Sequence, residues 1–432
     1  MLAVLGFSTL VSFMVLVMKR WATAFVAIIG APIVFALLAG FGSELPDMML
    51  SGIETVAPTA VLLLFAVLYF GLMMEVKLFD PLTNFIVRIS KGDPVRITMG
   101  TAVLALTIAL DGDGTTSYMI ICAAFIPLYQ RLRMNPLIIA VLAAMSLGLV
   151  SGSTPWGGAA TRAISVMHLD AGDYFVHMIP SLILTGLFII GVGFVLGLRE
   201  RKRVDKAHIA ELAREIEVRK MLRSERPTWR FWVNLSLTVL LLTLLILDVA
   251  PLVILFMVAF VIALLVNYPK LAEQSELIKT HASSAVPVVM LVLAAGIFTG
   301  ILTESGMIQA MADSILAFVP ESLGAAIPLI TAVIAVPLAF FMSNDAFFFG
   351  ILPVLAESAG HYGIDPVEIA RAGVIGQMAH MIGPASAPLW VLLGLLKKDL
   401  GEFQKFAIGW VAVTSLVFVL FALLTGAISA PF

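Results

Sequence analysis

A single cysteine, Cys122, in a chain of 432 residues rules out an internal disulfide and any cysteine-built metal site. Charge is scarce as well: 12% of the residues are Asp, Glu, Lys or Arg against 61% hydrophobic, with a mean hydropathy of +1.06. A water-soluble chain of this length needs a polar exterior, and the residues to build one are missing. No GxxxxGK[ST] phosphate loop occurs, which argues against an intrinsic ATP motor. No basic segment precedes the first apolar run and no convincing cleavage site follows it, so residues 1 to 17 are expected to be a retained span.

What the chain has instead is one apolar stretch after another, joined by short connections, from residue 1 to residue 428. That pattern predicts an all-α polytopic protein embedded in a lipid bilayer, located in the cell membrane or, in a host with two membranes, the inner one. The formal net charge of −2 matters less than where the charges fall. Eleven of the 26 Lys and Arg residues lie between Arg199 and Arg230, which assigns the linker 197–230 to the cytoplasm under the positive-inside rule. Within it Ile209, Leu212, Ile216 and Met221 are compatible with an amphipathic helix, and a tether between two halves is the preferred reading.

With Lys19 and Arg20 also inside, the remaining basic clusters fit an alternating path of ten crossings and two hairpins. The first half, 1–196, holds a hairpin at 97–129 open to the cytoplasm, with DGDGTTS (111–117) at its tip. The second half, 231–432, holds a hairpin at 324–356 open to the exterior, with SND (343–345) at its tip. The polar FGSELPDMM segment is expected to be an external loop. Each half runs span, span, span, hairpin, broken span, span, in reverse orientation, which is an inverted-topology repeat of the kind secondary transporters use. The rival is a simple bundle of twelve or more ordinary spans.

Unwound backbone and carboxylates at membrane depth are costly unless they line a cavity, so the tips and breaks are the candidate solute site. At the first tip Gly112 and Gly114 permit the reversal, Asp111 and Asp113 are candidates for proton or cation coupling, and Thr115, Thr116 and Ser117 offer oxygen ligands or caps. DGDG also resembles part of a calcium loop, but the rest of the EF-hand spacing is absent. At the second tip Ser343 and Asn344 are substrate candidates and Asp345 a coupling candidate; the alternative is that all three cap half-helices. The run Phe347 to Phe349 reads as packing.

The first break, SGSTPWGG (151–158), has Gly152, Pro155, Gly157 and Gly158 to interrupt the helix, with Ser153 and Thr154 as substrate candidates. Arg162, one turn on, either faces a substrate anion or sits at the outer interface. The second break, GQMAHMIGPAS (376–386), has Gly376, Gly383 and Pro384 as interrupters and Gln377 and Ser386 as substrate candidates. His380 either serves a proton-sensitive step or packs. Glu304 is a further coupling candidate near the outer boundary, Glu75 is intramembrane or at the inner interface, and Arg371, Glu357 and Glu368 are expected to pair at the external interface.

The stretches LDGDGTTSYMI, PWGGAATRA, MSNDAFFFGILPVLAE and GQMAHMIGP, in this order across essentially the whole chain, resemble the citrate-divalent metal:proton symporter family of the ion transporter superfamily. The resemblance implies uptake of citrate complexed with Mg2+, Ca2+ or a related ion, coupled to H+, with no permanently bound cofactor and no directly assigned metal ligand. It also implies substrate held between two hairpin tips and two broken spans, elevator movement and a possible homodimer. The chain departs from the family pattern before PWGG: Gly152 stands in place of an asparagine, and Ser153 and Thr154 in place of bulky apolar residues. Alternatives are a sodium-coupled di- or tricarboxylate carrier, a channel or ion exchanger, and a membrane-embedded enzyme. No catalytic constellation supports the last, and nucleic acid is not an expected partner.

Overall fold

The computed structural model describes residues 1–19, 21–79, 81, 85–86, 92–112, 114–204, 228–247, 249–316 and 321–430. The linker residues 205–227, with the amphipathic pattern read there, and Asp113 lie outside them. Among the described residues every regular element is helical. In the first half these are α1 (Leu2–Met18), α2 (Ala24–Ala39), α3 (Leu45–Glu75), α4 (Pro94–Ile108), α5 (Gly114–Arg131), α6 (Leu137–Ser153), α7 (Gly158–Val166), α8 (Ala171–Val176) and α9 (Ile179–Arg203). The second half holds α10 (Trp229–Ile246), α11 (Leu252–Asn267), α12 (Leu271–Glu304), α13 (Met307–Leu316) and α14 (Ile327–Phe341). A π-helical turn (Ala346–Ile351) then leads into α15 (Leu352–Gly360), followed by α16 (Pro366–Val374), α17 (Gln377–His380), α18 (Ala387–Leu396) and α19 (Leu400–Leu424).

Helix starts follow local chemistry. Asp93 accepts from the Val95 amide at 3.2 Å and Asp365 from the Val367 amide at 2.9 Å, each with proline next in sequence to set the first helical φ. Helix α3 begins at Leu45, inside the segment expected to be an external loop: Pro46 is pre-set for a first turn and Asp47 suits the positive end of the helix.

Among the described residues seven helices are long and apolar enough to cross a bilayer by length and composition. One of them, Pro94–Asp111, is the first arm of the expected hairpin. Both arms are longer than the apolar pattern suggested, because α4 starts at its Asp-Pro cap and α5 continues to Arg131. Burial is uneven. In the span Leu137–Val166, 94% of the apolar window is enclosed by other helices, against 39% in Leu400–Leu424, so the first break sits in the centre of the protein.

The packing repeats when the halves are exchanged. Helix α1 lies on α2 as α10 lies on α11; α2 packs on α12 as α11 packs on α3; α4 meets α6 and α9 as α14 meets α16 and α19. Helices α3 and α12 pack on each other, and so do the two broken spans through α6 and α17. The α3–α12 crossing is a backbone contact. A Cβ on Gly296 would lie 2.5 Å from the Gly52 carbonyl oxygen, and one on Gly300 would run into the Met48 carbonyl. Small residues of this kind let membrane helices approach closely. Gly296→Leu is therefore expected to destabilise the protein by about 3 kcal/mol, the upper end for overpacking, because a backbone atom cannot move aside as a side-chain tip can. Gly191→Leu, where nothing lies within 4 Å, is expected to be neutral. Unfolding midpoints in detergent measure the difference.

Glu75 settles at a helix end, its side chain 44% exposed. It accepts from Tyr268 Oη at 2.9 Å and lies 3.1 Å from His281 Nε2. Burial, and then the hydrogen bond and charge of Glu75, push the Tyr268 phenol up to about 12, so it stays a donor. Arg371 pairs with Asp173, at 3.8 Å, rather than with a residue of its own helix. It is buried and donates to the carbonyls of Tyr174, Asp173 and Ala427, while Glu368 accepts from the Ser429 amide at 2.7 Å. Together they pin the C-terminal turn and α8 against α16.

Candidate functional site

Gly112 reverses the chain at the first tip with φ +78°, the left-handed region in which glycine is unstrained. The tip is tied down at three points. Ser117 Oγ donates to Asp111 at 2.9 Å, Ser151 Oγ donates to the Gly112 carbonyl at 3.1 Å, and Trp156 Nε1 donates to the Leu110 carbonyl at 2.7 Å. Asp111 and Ser117 are both buried and engaged with each other. Thr115 and Thr116 are half-buried on the first turn of α5. Gly114 approaches Pro388: a Cβ there would lie 2.9 Å from the proline ring. The first tip thus reaches both broken spans.

Trp156 carries the break in α6–α7. Its ring stacks on Phe70 at 5.5 Å and meets Phe256 at 5.1 Å and Phe175 at 5.8 Å. Thr161 Oγ1 donates to the Pro155 and Gly157 carbonyls, occupying two acceptors that the break exposes. Ser153 and Thr154 are buried, and their hydroxyls have no hydrogen-bond partner among the described residues. Buried polar groups in folded proteins are nearly always paired, and these two share the exception with Ser146, Thr331 and Ser415, among others.

The second tip crosses to the other structural half. Asp345 accepts from Arg162 Nε at 2.7 Å, while the Arg162 fork also donates to the Gly158 carbonyl. Asn344 Oδ1 accepts from Gln377 Nε2 at 2.9 Å, and Ser343 Oγ accepts from the Ala346 amide at 3.2 Å. Gln377 is fully buried, and its Oε1 has no partner. His380 Nδ1 lies 3.0 Å from the Ala339 carbonyl, and its ring is buried. The π turn directly after Asp345 buries Phe347, Phe348 and Phe349 completely, as the packing reading expected. Such turns recur at functional sites because they shift the register of the helix.

The two breaks face each other through missing side chains. A Cβ on Gly148 would lie 2.5 Å from the Met378 Cα, and one on Gly152 would lie 2.6 Å from the Gln377 Cβ. Gly376 and Gly383 abut the carbonyls of Ala335 and Phe340 on α14 in the same way. Gly152 therefore leaves room for the Gln377 side chain. Gly152→Asn is expected to displace Gln377 from Asn344 and to lower uptake at least tenfold, read as initial rates against wild type. Ser386 is buried with only a long contact to Met381 sulfur, 4.0 Å, and Pro384 is exposed, so both lie at the margin. Glu304 is exposed at the end of α12, away from these contacts. Sequence reasoning missed the tying role of Trp156 and Ser151; the signal available was an indole N–H beside a helix break. Among the described residues no group of three or more His, Cys, Asp or Glu side chains is placed to hold a metal ion.

An all-helical membrane protein with broken helices and two helical turns converging on buried, partly unpaired polar groups has the build of a secondary transporter. The chain belongs to the citrate transporter family, whose model matches residues 11–376. It is not an enzyme. Three proteins of Bacillus subtilis (strain 168) are similar along their whole length. One named Uncharacterized transporter YraO is 46% identical, covering 99% of this chain and 100% of its own. Another, named Citrate transporter, is 46% identical with the same coverage. A third, named Mg(2+)/citrate complex secondary transporter, is 44% identical over 99% of both chains. Among solved structures, the YdaH transporter of Alcanivorax borkumensis, described as having an unusual topology, superposes with a TM-score of 0.53 over 89% of each chain. At 16% identity that likeness concerns the fold alone.

Proposed function

We propose that the chain imports citrate as a complex with Mg2+, Ca2+ or a related divalent ion, driven by proton symport. The observation that carries this reading is the set of polar groups at the two breaks and the second tip: the Ser153 and Thr154 hydroxyls and Gln377 Oε1 without partners, and Arg162 as the cation, paired with Asp345. Citrate needs donors and a positive group for its carboxylates and hydroxyl, while its own oxygens hold the metal. The name of the 44% identical relative supports the metal complex as cargo. In this reading the halves 1–196 and 231–432 form an inverted repeat, and the turns at 111–117 and 343–345 are the tips of hairpins re-entering from opposite faces. The repeated helix packing supports that arrangement. A transport domain moves as an elevator against a scaffold, within a homodimer.

The test is uptake of labelled citrate by purified protein in liposomes, with metal, sodium and pH varied independently. Uptake is expected to need a divalent metal, to persist without sodium, to collapse with a proton uncoupler and to deliver unchanged citrate. Uptake that requires sodium and ignores the proton gradient would replace this reading by a sodium-coupled carboxylate carrier.

A further inference from the structure

Arg162 and Asp345 come from opposite halves, 183 residues apart, and meet at 2.7 Å with side chains only 17% and 16% exposed. The other named acceptor of the Arg162 fork is the Gly158 carbonyl of its own helix. Among the site residues described above, Arg162 is the one permanent cation, so a cargo carboxylate and Asp345 compete for the same fork. If the cargo wins, Asp345 is left without its partner in a site where its side chain is only 16% exposed, and a charge held there unpaired is costly.

We infer that the Arg162–Asp345 ion pair is an exchange element, in which a cargo carboxylate displaces Asp345 from Arg162 and Asp345 takes up one proton. The inference rests on the carboxylate-carrier reading and adds the group that couples proton to cargo. The balance closes without redox or covalent chemistry. Before exchange the guanidinium faces the Asp345 carboxylate; afterwards it faces the cargo carboxylate, and the proton from solution sits on Asp345. The formal charge of the pair with its partner is zero in both states. Neither partner alone reproduces this, because an isolated arginine would accept the anion without a proton.

The neighbours leave few competing titratable groups. Against the Asp345 turn pack α1, which has no ionisable side chain in 2–18, α7, which has Arg162 alone, and α15, which has Glu357. His380 on α17 faces the same pair. Arg371 and Glu368 on α16 are engaged with the backbone around residues 173–174 and 427–429.

The experiment is calorimetric titration of purified full-length protein with magnesium citrate, above the pH range in which citrate itself titrates, in buffers of different ionisation enthalpy. Wild type is expected to take up one proton at this pair per complex bound, and its affinity to weaken by up to about tenfold per pH unit as pH rises. Asp345→Asn is expected to lose that proton and flatten the dependence. Should that variant fail to fold or bind, citrate protection of wild type against thermal unfolding gives the same reading, strong at lower pH and fading as pH rises. Citrate binding by wild type with no proton uptake overturns the exchange alone. So does uptake that persists in Asp345→Asn and vanishes in His380→Gln. Absence of any citrate binding overturns the substrate reading and the exchange with it.

Discussion

Arg162→Ala is expected to destabilise the protein by about 1–3 kcal/mol, the cost of leaving a half-buried polar group without its partner, and to lower citrate uptake at least 100-fold. Removing the guanidinium leaves the Asp345 carboxylate in a site only 16% exposed, with the nearest helix, α7, offering no other cation. The double variant Arg162→Ala with Asp345→Ala removes both charges. It is expected to be more stable than Arg162→Ala alone and just as inactive. Denaturant unfolding in micelles reads the first comparison and liposome uptake the second. A double variant less stable than either single would mean that the two charges act independently, contrary to the 2.7 Å contact.

Trp156→Ala is expected to cost about 3–5 kcal/mol, the range for removing a large buried aromatic, because the ring fills the space between Phe70, Phe175 and Phe256. It also removes the indole donor that holds the Leu110 carbonyl at the first tip. Trp156→Phe separates these effects. The stack is largely kept, but the Leu110 carbonyl loses its partner, which costs about 1–3 kcal/mol if it stays buried. Thermal melts of the two variants should therefore fall in the order wild type, Phe, Ala. Equal melts for Phe and Ala would place the whole effect in the hydrogen bond and none in the ring.

The helices and their interruptions were legible because both are written locally. Long apolar runs give the spans, and Pro155, Gly157, Gly383 and Pro384 mark where regular helix cannot continue. What was not legible is what meets what. Arg162 read equally well as an interfacial charge, and its approach to Asp345 from the other half is written nowhere in the local sequence. Gly152 looked like the loss of an amide, whereas the structure shows it making room for Gln377. The start of α3 was hidden because Glu44 and Asp47 look like loop residues, although an acidic first turn with proline is also how a helix begins. The place of Arg371 was hidden because its hydrogen-bond partners are backbone carbonyls, which no side-chain pattern announces, and its ion pair, with Asp173 at 3.8 Å, comes from the other half. Asp113, equal to Asp111 in sequence terms, lies outside the described residues and keeps only its sequence reading.

The central claim is that the two tips and the two breaks enclose one cargo site. A structure of the protein in lipid nanodiscs with magnesium citrate tests it most directly. The account predicts density for one metal-citrate complex within hydrogen-bond reach of Asn344, Gln377 and the Ser153–Thr154 break, with Arg162 turned from Asp345 toward a carboxylate. Bound citrate elsewhere, with the Arg162–Asp345 pair and the unpaired hydroxyls of Ser153 and Thr154 unchanged, would contradict it.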